Sequence, residues 1–232
     1  MMKNSRNSIG LTNRETVGGI SYLIFQMVFL PGILSWANGL LESPLPSAEL
    51  NFVFYLINFM AMLVIFHDFL GRSAGHAIRN IIDLVQAVIL GLVAYYACSW
   101  ATEQIIGLLV PSFSNYNDEA IAAMSQSNRF LVLIGTVVLV PPVEECLYRG
   151  LIFRNLYGKS KVLAYIASIL AFAMIHILGY LHTYQPLELV LAFLQYLPAG
   201  LWLAWAYTKA GTVFAPIFIH AVINFMAIRG LR

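Results

Sequence analysis

The chain has 232 residues, of which 60% are hydrophobic and only 10% charged, whereas a soluble globular domain carries roughly 25% charged residues. That is too little charge to coat a water-facing surface, so lipid is the expected solvent. A formal net charge of +2 without basic or acidic runs excludes nucleic acid as a partner. Cys98 and Cys146 lie singly in apolar stretches, without the spacing of a disulfide framework or a zinc knuckle.

A hydrocarbon core about 30 Å thick is crossed by about 20 apolar residues in a helix. Seven segments of this kind occur, at 20–41, 50–70, 81–110, 129–157, 161–181, 187–208 and 212–229. The expected fold class is therefore all-α: a polytopic integral membrane helical bundle of about seven transmembrane helices. Residues 1–19 read as a polar N-terminal tail ending in a short helix capped by Thr12 and Glu15. Residues 20–232 read as a single transmembrane domain. The first segment contains Pro31, Trp36 and Asn38 and lacks a small-x-small exit, which favours a retained helix over a signal peptide. Turn residues and charges make 42–49, 71–80, 111–128 and 158–161 the expected loops.

With seven alternating helices, Lys3, Arg6, Arg14, Arg72, Arg79, Arg149, Arg154, Lys159, Lys161 and Lys209 fall on one side, and Arg129, Arg229 and Arg232 on the other. The excess predicts a cytoplasmic N-terminus. Arg229 and Arg232 fit poorly, and an eighth short or re-entrant segment would account for them. No internal repeat suggests an inverted-repeat transporter.

Ionisable side chains at membrane depth cost at least about 2.5–3.5 kcal/mol on insertion scales, which makes each a functional candidate. Three blocks stand out. In Pro141-Pro142-Val143-Glu144-Glu145-Cys146-Leu147-Tyr148-Arg149, the prolines predict a break or kink and then a fresh helix start that favours the two carboxylates. Glu145 and Arg149 have the spacing of an ion pair, and Glu144 then faces elsewhere. Phe172 lies one turn before His176 and can pack against it. His220 and Asn224 share one helix face. Each block alone reads as structural glue between helices; a carboxylate, two imidazoles and an amide on three helices together point to catalysis. Glu103 and Asp83 read as snorkelling or structural groups. Cys146, in an apolar frame without a base, reads as packing.

These blocks resemble the motifs of the CAAX prenyl endopeptidase and bacteriocin-processing family of intramembrane proteases, also called the Abi or CPBP family. That pattern is Glu-Glu-x-x-x-Arg, Phe-x-x-x-His and His-x-x-x-Asn in order on separate helices, and every position is filled here. The resemblance covers roughly 129–229, the expected catalytic core. It implies an endopeptidase acting on a membrane-associated peptide or protein, with Glu144 as general base assisted by His176, and His220 with Asn224 as the oxyanion site. Glu145, Arg149 and Phe172 would support the site or bind substrate. No cofactor is expected. Zinc is the competing reading, although the two-His spacing of a zincin on one helix is absent and Asn is a poor ligand.

The alternatives from other classes are a non-catalytic membrane adaptor or immunity protein of the same fold, and a proton-coupled transporter. A bacterial plasma membrane is the expected location. Counting along the helices at 1.5 Å per residue puts Glu144 about 15 Å inside from Arg154, which predicts a site opening toward the cytoplasm.

Overall fold

In the computed structural model, which describes residues 9–230, helix α1 (Asn13–Val28) begins at the predicted capping box. The Thr12 hydroxyl accepts from the Glu15 N–H, and the Glu15 carboxylate accepts from the Thr12 N–H. The same carboxylate, 3% exposed, also accepts from Arg72 at 2.8 Å and from the Phe69 N–H. It thereby ties α1 to a helix more than fifty residues away. Lys3, Arg6 and Arg232 lie outside the described residues.

The chain continues as α2 (Leu30–Gly39), α3 (Ser47–Ile65), α4 (His67–Arg79), α5 (Ile81–Leu109), α6 (Tyr116–Tyr157), α7 (Lys161–Tyr180), α8 (Pro186–Ala210) and α9 (Phe214–Gly230). Helices α3, α5, α6, α7 and α8 are long and apolar enough to cross a membrane. Helices α1 and α2, bent by 45° near Pro31, make a sixth span when taken together, and α9 is a shorter apolar helix of 17 residues. All seven expected segments are thus helical, and the fold is an all-α polytopic membrane bundle. Among the described residues no eighth apolar segment follows α9.

Two expected loops are helical. Residues 71–80 fall mostly within α4, whose Phe69, Ser73 and Ala77 are buried at four-residue spacing while His67, Asp68, Arg72 and Arg79 are exposed. The polar face hides the helical period in the sequence. The stretch 111–128 is mostly the first part of α6, started by Asn115, whose side chain accepts from the Asn117 N–H. Helix α6 is kinked at Asn128 (φ −149°, ψ 81°), whose side-chain amide donates to Glu49 on α3 at 3.0 Å.

The Pro141–Pro142 pair does not break α6 or start a new helix. Wide π-helical turns at 134–139 and 146–153 flank it, spreading over several residues the disruption that missing N–H groups would concentrate at one point. Val140 N–H bonds to the Gly135 carbonyl, five residues back. The next carbonyl in that register, Thr136, faces Pro141, which has no N–H. Glu144 and Glu145 therefore sit within a continuing helix rather than in a first turn.

Long-range bonds define the two ends of the bundle. Tyr207 donates to the Ile9 carbonyl, Arg72 to Gly10 and Thr212 to Ser73, and Lys209 pairs with Asp83. These contacts gather the starts of α1 and α5, helix α4 and the end of α8 at one end. The basic side chains Arg14, Arg72, Arg79 and Lys209 belong to it, and by chain order so do Arg154, Lys159 and Lys161. Arg149 does not: it is fully buried mid-bundle. The opposite end holds Asn115, Tyr116 and Tyr184, joined by the Tyr184 hydroxyl accepting from the Tyr116 N–H at 2.8 Å.

Candidate active site

Glu145 and Arg149, four residues apart, form an ion pair at 3.0 Å with both side chains 0% exposed. The pair is not self-contained. The Glu145 oxygen that accepts from Arg149 also lies 2.9 Å from Nδ1 of His220 on α9. Arg149 donates in addition to the Gly200 carbonyl on α8 at 3.2 Å, and its guanidinium lies 4.5 Å from the centre of the Phe172 ring. One buried carboxylate and one buried cation thus bind α6, α7, α8 and α9 together, although Glu145 Oε2 and Arg149 Nε have no hydrogen-bond partner.

Phe172 is the hub of the aromatic packing. Its ring lies 4.7 Å from the His176 ring and 5.6 Å from the His220 ring, and meets Tyr148 edge-on at 5.7 Å. The expected contact with His176 is present, and those with His220 and Arg149 add to it. On its other side His176 stacks on Tyr196 at 4.3 Å.

The hydrogen bonds fix which ring nitrogens face the cavity. Nδ1 of His176 lies 2.8 Å from the Phe172 carbonyl, which can only accept, so Nδ1 carries a proton and the neutral ring keeps a lone pair on Nε2. By the same argument the Glu145 carboxylate requires a proton on Nδ1 of His220, leaving its Nε2 for other chemistry. Asn224 donates to the Thr136 carbonyl at 2.7 Å. An amide nitrogen carries two hydrogens, so this bond leaves Asn224 a second one to donate.

Glu144, His176, His220 and Asn224 all line one cavity of about 440 Å³. Glu145 and Arg149 do not line it; they lie behind His220. Glu144 contributes an Oε2 atom that is buried without a hydrogen-bond partner. Among the described residues no three His, Cys, Asp or Glu side chains are grouped as ligands of one ion.

The same cavity has wall residues that sequence reasoning passed over or discounted: Tyr55, Thr136, Tyr196, Asp118 and Glu103. Gln195-Tyr196 is a polar pair inside an apolar helix, a signal that could have been used. The long-range stack of Tyr196 on His176 leaves no trace in sequence spacing. The cavity extends toward the end of the bundle away from the basic residues. Its outer wall includes the exposed Glu103 and Asp118, late in α5 and early in α6, at the end away from the basic residues. The reason is the depth of His176, about 22 Å along α7 from Lys161, which draws the site toward the far end.

Residues 126–226 match the family model described as Rce1-like: Type II CAAX prenyl endopeptidase Rce1-like. This part of the chain is similar to that family. The match contains all three motif blocks, and it agrees with the resemblance carried by Glu144, Glu145, Arg149, Phe172, His176, His220 and Asn224. The matched stretch covers fewer than half of the chain's residues, and its likeness is to CAAX-type intramembrane proteases. Neither a curated protein nor a solved structure matches the chain.

Proposed function

We propose that this Rce1-like protein is an endopeptidase that hydrolyses a peptide bond of a membrane-associated peptide or protein through carboxylate-activated water. The observation that supports this reading most directly is the convergence of Glu144, His176, His220 and Asn224, from three helices, on one cavity.

In the proposed reaction Glu144 takes a proton from water while the water oxygen attacks the scissile carbonyl carbon. Nε2 of His176 accepts a hydrogen bond from the same water and orients it. The carbonyl oxygen becomes an oxyanion, stabilised by the second N–H of Asn224 and by Nε2–H of His220 when that ring is protonated. Collapse of the tetrahedral intermediate breaks the C–N bond, and the proton held by Glu144 passes to the leaving amine. Glu145 and Arg149 are positioning residues in this scheme, because they touch His220 and the helices rather than the substrate.

We further propose that the basic end faces the cytoplasm, as the distribution of Arg and Lys favours. The polar mouth of the cavity then faces the opposite side.

The test is cleavage of a membrane-associated reporter peptide by purified protein and by a Glu144→Gln variant. Turnover by the unaltered protein is expected, with none by the variant despite an unchanged melting temperature and unchanged peptide binding. Equal turnover by the two would overturn the mechanism.

A further inference from the structure

A second cavity, about 410 Å³, adjoins the polar chamber described above, and Tyr55, Val140 and Glu144 line both. It lies beside the bend between α1 and α2, where Met27, Pro31, Phe54, Val143, Ile175 and Leu178 give it apolar walls. A polar group set in such walls at membrane depth is costly unless it has a hydrogen-bond partner. Two side chains that the mechanism does not use are set in this way, Gln26 on α1 and Tyr148 on α6.

Gln26 follows Tyr22 by one turn, so the two share a helix face. The Tyr22 hydroxyl is taken up by the fold: it donates to Asn58 on α3 at 2.8 Å, and Asn58 in turn donates to the Phe54 carbonyl. Gln26 has no such counterpart. Its half-buried amide is without a hydrogen-bond partner among the described residues, which leaves two N–H groups and a carbonyl oxygen for whatever enters the chamber.

Tyr148 lies one turn after Glu144 and is only 3% exposed. Its backbone carbonyl accepts from the Ser168 hydroxyl at 3.2 Å, and its ring meets Phe172 edge-on, so the phenol is held in one place. Among the described residues its hydroxyl has no partner. Both Gln26 and Tyr148 line the apolar chamber and not the polar one.

We infer that Gln26 and Tyr148 form a subsite for the substrate's backbone beside Glu144, in which the Gln26 amide pairs with one peptide group and the Tyr148 hydroxyl donates to a peptide carbonyl. The inference rests on the endopeptidase reading above and extends it to how the peptide is held. A primary amide matches a peptide group donor for acceptor, whereas a hydrocarbon chain satisfies neither side chain. The apolar walls take the side chains and the two polar groups take the backbone, so the occupant is an extended apolar peptide segment. Gln26 stands outside residues 126–226, so the family match does not extend to this part of the site.

The experiment uses the full chain carrying Glu144→Gln in detergent micelles, with a fluorescein-labelled peptide of eight apolar residues without internal repeat. A set of analogues replaces each backbone amide in turn by an ester, which removes one N–H and weakens the adjoining carbonyl as an acceptor. Binding is read by fluorescence anisotropy, with and without Gln26→Leu or Tyr148→Phe. Comparing variants on the same peptides cancels differences in partition into the micelle. Cleavage of the all-amide peptide by the unaltered chain is followed by mass spectrometry.

Each added substitution is expected to weaken binding of the all-amide peptide about fivefold, the worth of one hydrogen bond. One ester analogue should show a similar loss on the Glu144→Gln protein, and that loss should vanish once Gln26→Leu is added. The melting temperature should not fall in Gln26→Leu, because leucine removes an unpartnered amide, nor in Tyr148→Phe, which keeps the ring.

Ester costs that are the same with and without Gln26→Leu, unchanged affinity in either variant, no binding of the all-amide peptide, or a lower melting temperature in Gln26→Leu would overturn the inference. Cleavage by the unaltered chain together with ester costs independent of Gln26 would overturn it while leaving the endopeptidase reading intact. The expected ester pattern with no cleavage by the unaltered chain would do the reverse.

Discussion

The side-chain amide of Asn224 donates to the Thr136 carbonyl at 2.7 Å, and that carbonyl is the one that Pro141 leaves without a helical partner. The wide turn of α6 sends the Val140 N–H to Gly135, and Pro141 has nothing to offer the next acceptor. A proline in one helix therefore holds a proposed oxyanion donor in another. Replacing Pro141 by alanine supplies an N–H that competes for Thr136 and frees Asn224 to rotate.

For Pro141→Ala we expect a folded protein with an undiminished melting temperature, an unchanged KM, and a kcat lowered by up to about 100-fold, the cost of misplacing a catalytic group by an ångström. Asn224→Ala sets the scale, with an expected loss of about 100- to 1000-fold in kcat. Steady-state cleavage assays and thermal melts of the two variants decide it. Full kcat in Pro141→Ala would show that the Thr136 contact does not position Asn224.

Arg149 is predicted to matter first for stability. Its removal leaves Glu145 buried at 0% exposure with only His220 to compensate its charge, a loss of about 3–5 kcal/mol when such a pair is broken from one side. Arg149→Ala should melt well below the unaltered protein in detergent. Arg149→Lys should recover only part of the difference, because an ammonium cannot reproduce the planar contact with Phe172 while reaching both Glu145 and the Gly200 carbonyl. An unchanged melting temperature in Arg149→Ala would mean that the pair contributes little to the fold.

The apolar helices, five of them long enough to cross a membrane and a sixth span made by the bent α1–α2 pair, were legible because a run of about 20 apolar residues has few other uses. The Glu145–Arg149 pair was legible because it is local, four residues apart on one helix. What lies beyond local spacing was not. The bond from Glu145 to His220 spans 75 residues, and the stack of His176 on Tyr196 joins separate helices. Both depend on how α6, α7, α8 and α9 cross, which no single segment encodes. The prolines misled for a different reason. Pro141 and Pro142 signal a break by the usual rule, yet π-turns on both sides carry α6 through. In α4 the burial of Ser73 beside Phe69 and Ala77 gave too weak an apolar period to outweigh its charged face.

Metal use makes a separate prediction. A zinc site needs at least three protein ligands around one point. Among the described residues no three His, Cys, Asp or Glu side chains are grouped in that way. A carboxylate-dependent enzyme should keep its activity after exhaustive chelation and dialysis, with no stoichiometric metal found by elemental analysis. Loss on chelation and recovery on adding zinc back would retain Glu144 and the histidines while recasting them as ligands.

The orientation of the bundle is testable at its two ends. Lys159, exposed between α6 and α7, and Ser112, exposed between α5 and α6, lie on opposite sides because α6 crosses between them. Neither native cysteine is in a loop, and Cys146 is fully buried; Cys98→Ser with Cys146→Ala gives a clean background. If the basic end is cytoplasmic, a membrane-impermeant maleimide should label Ser112→Cys but not Lys159→Cys in intact cells, and inverted vesicles should reverse the pattern. The same result would fix the side from which the polar chamber is filled, since Glu103 and Asp118 lie toward Ser112. Labelling of Lys159→Cys in intact cells would invert the bundle and place the acidic mouth of the cavity in the cytoplasm.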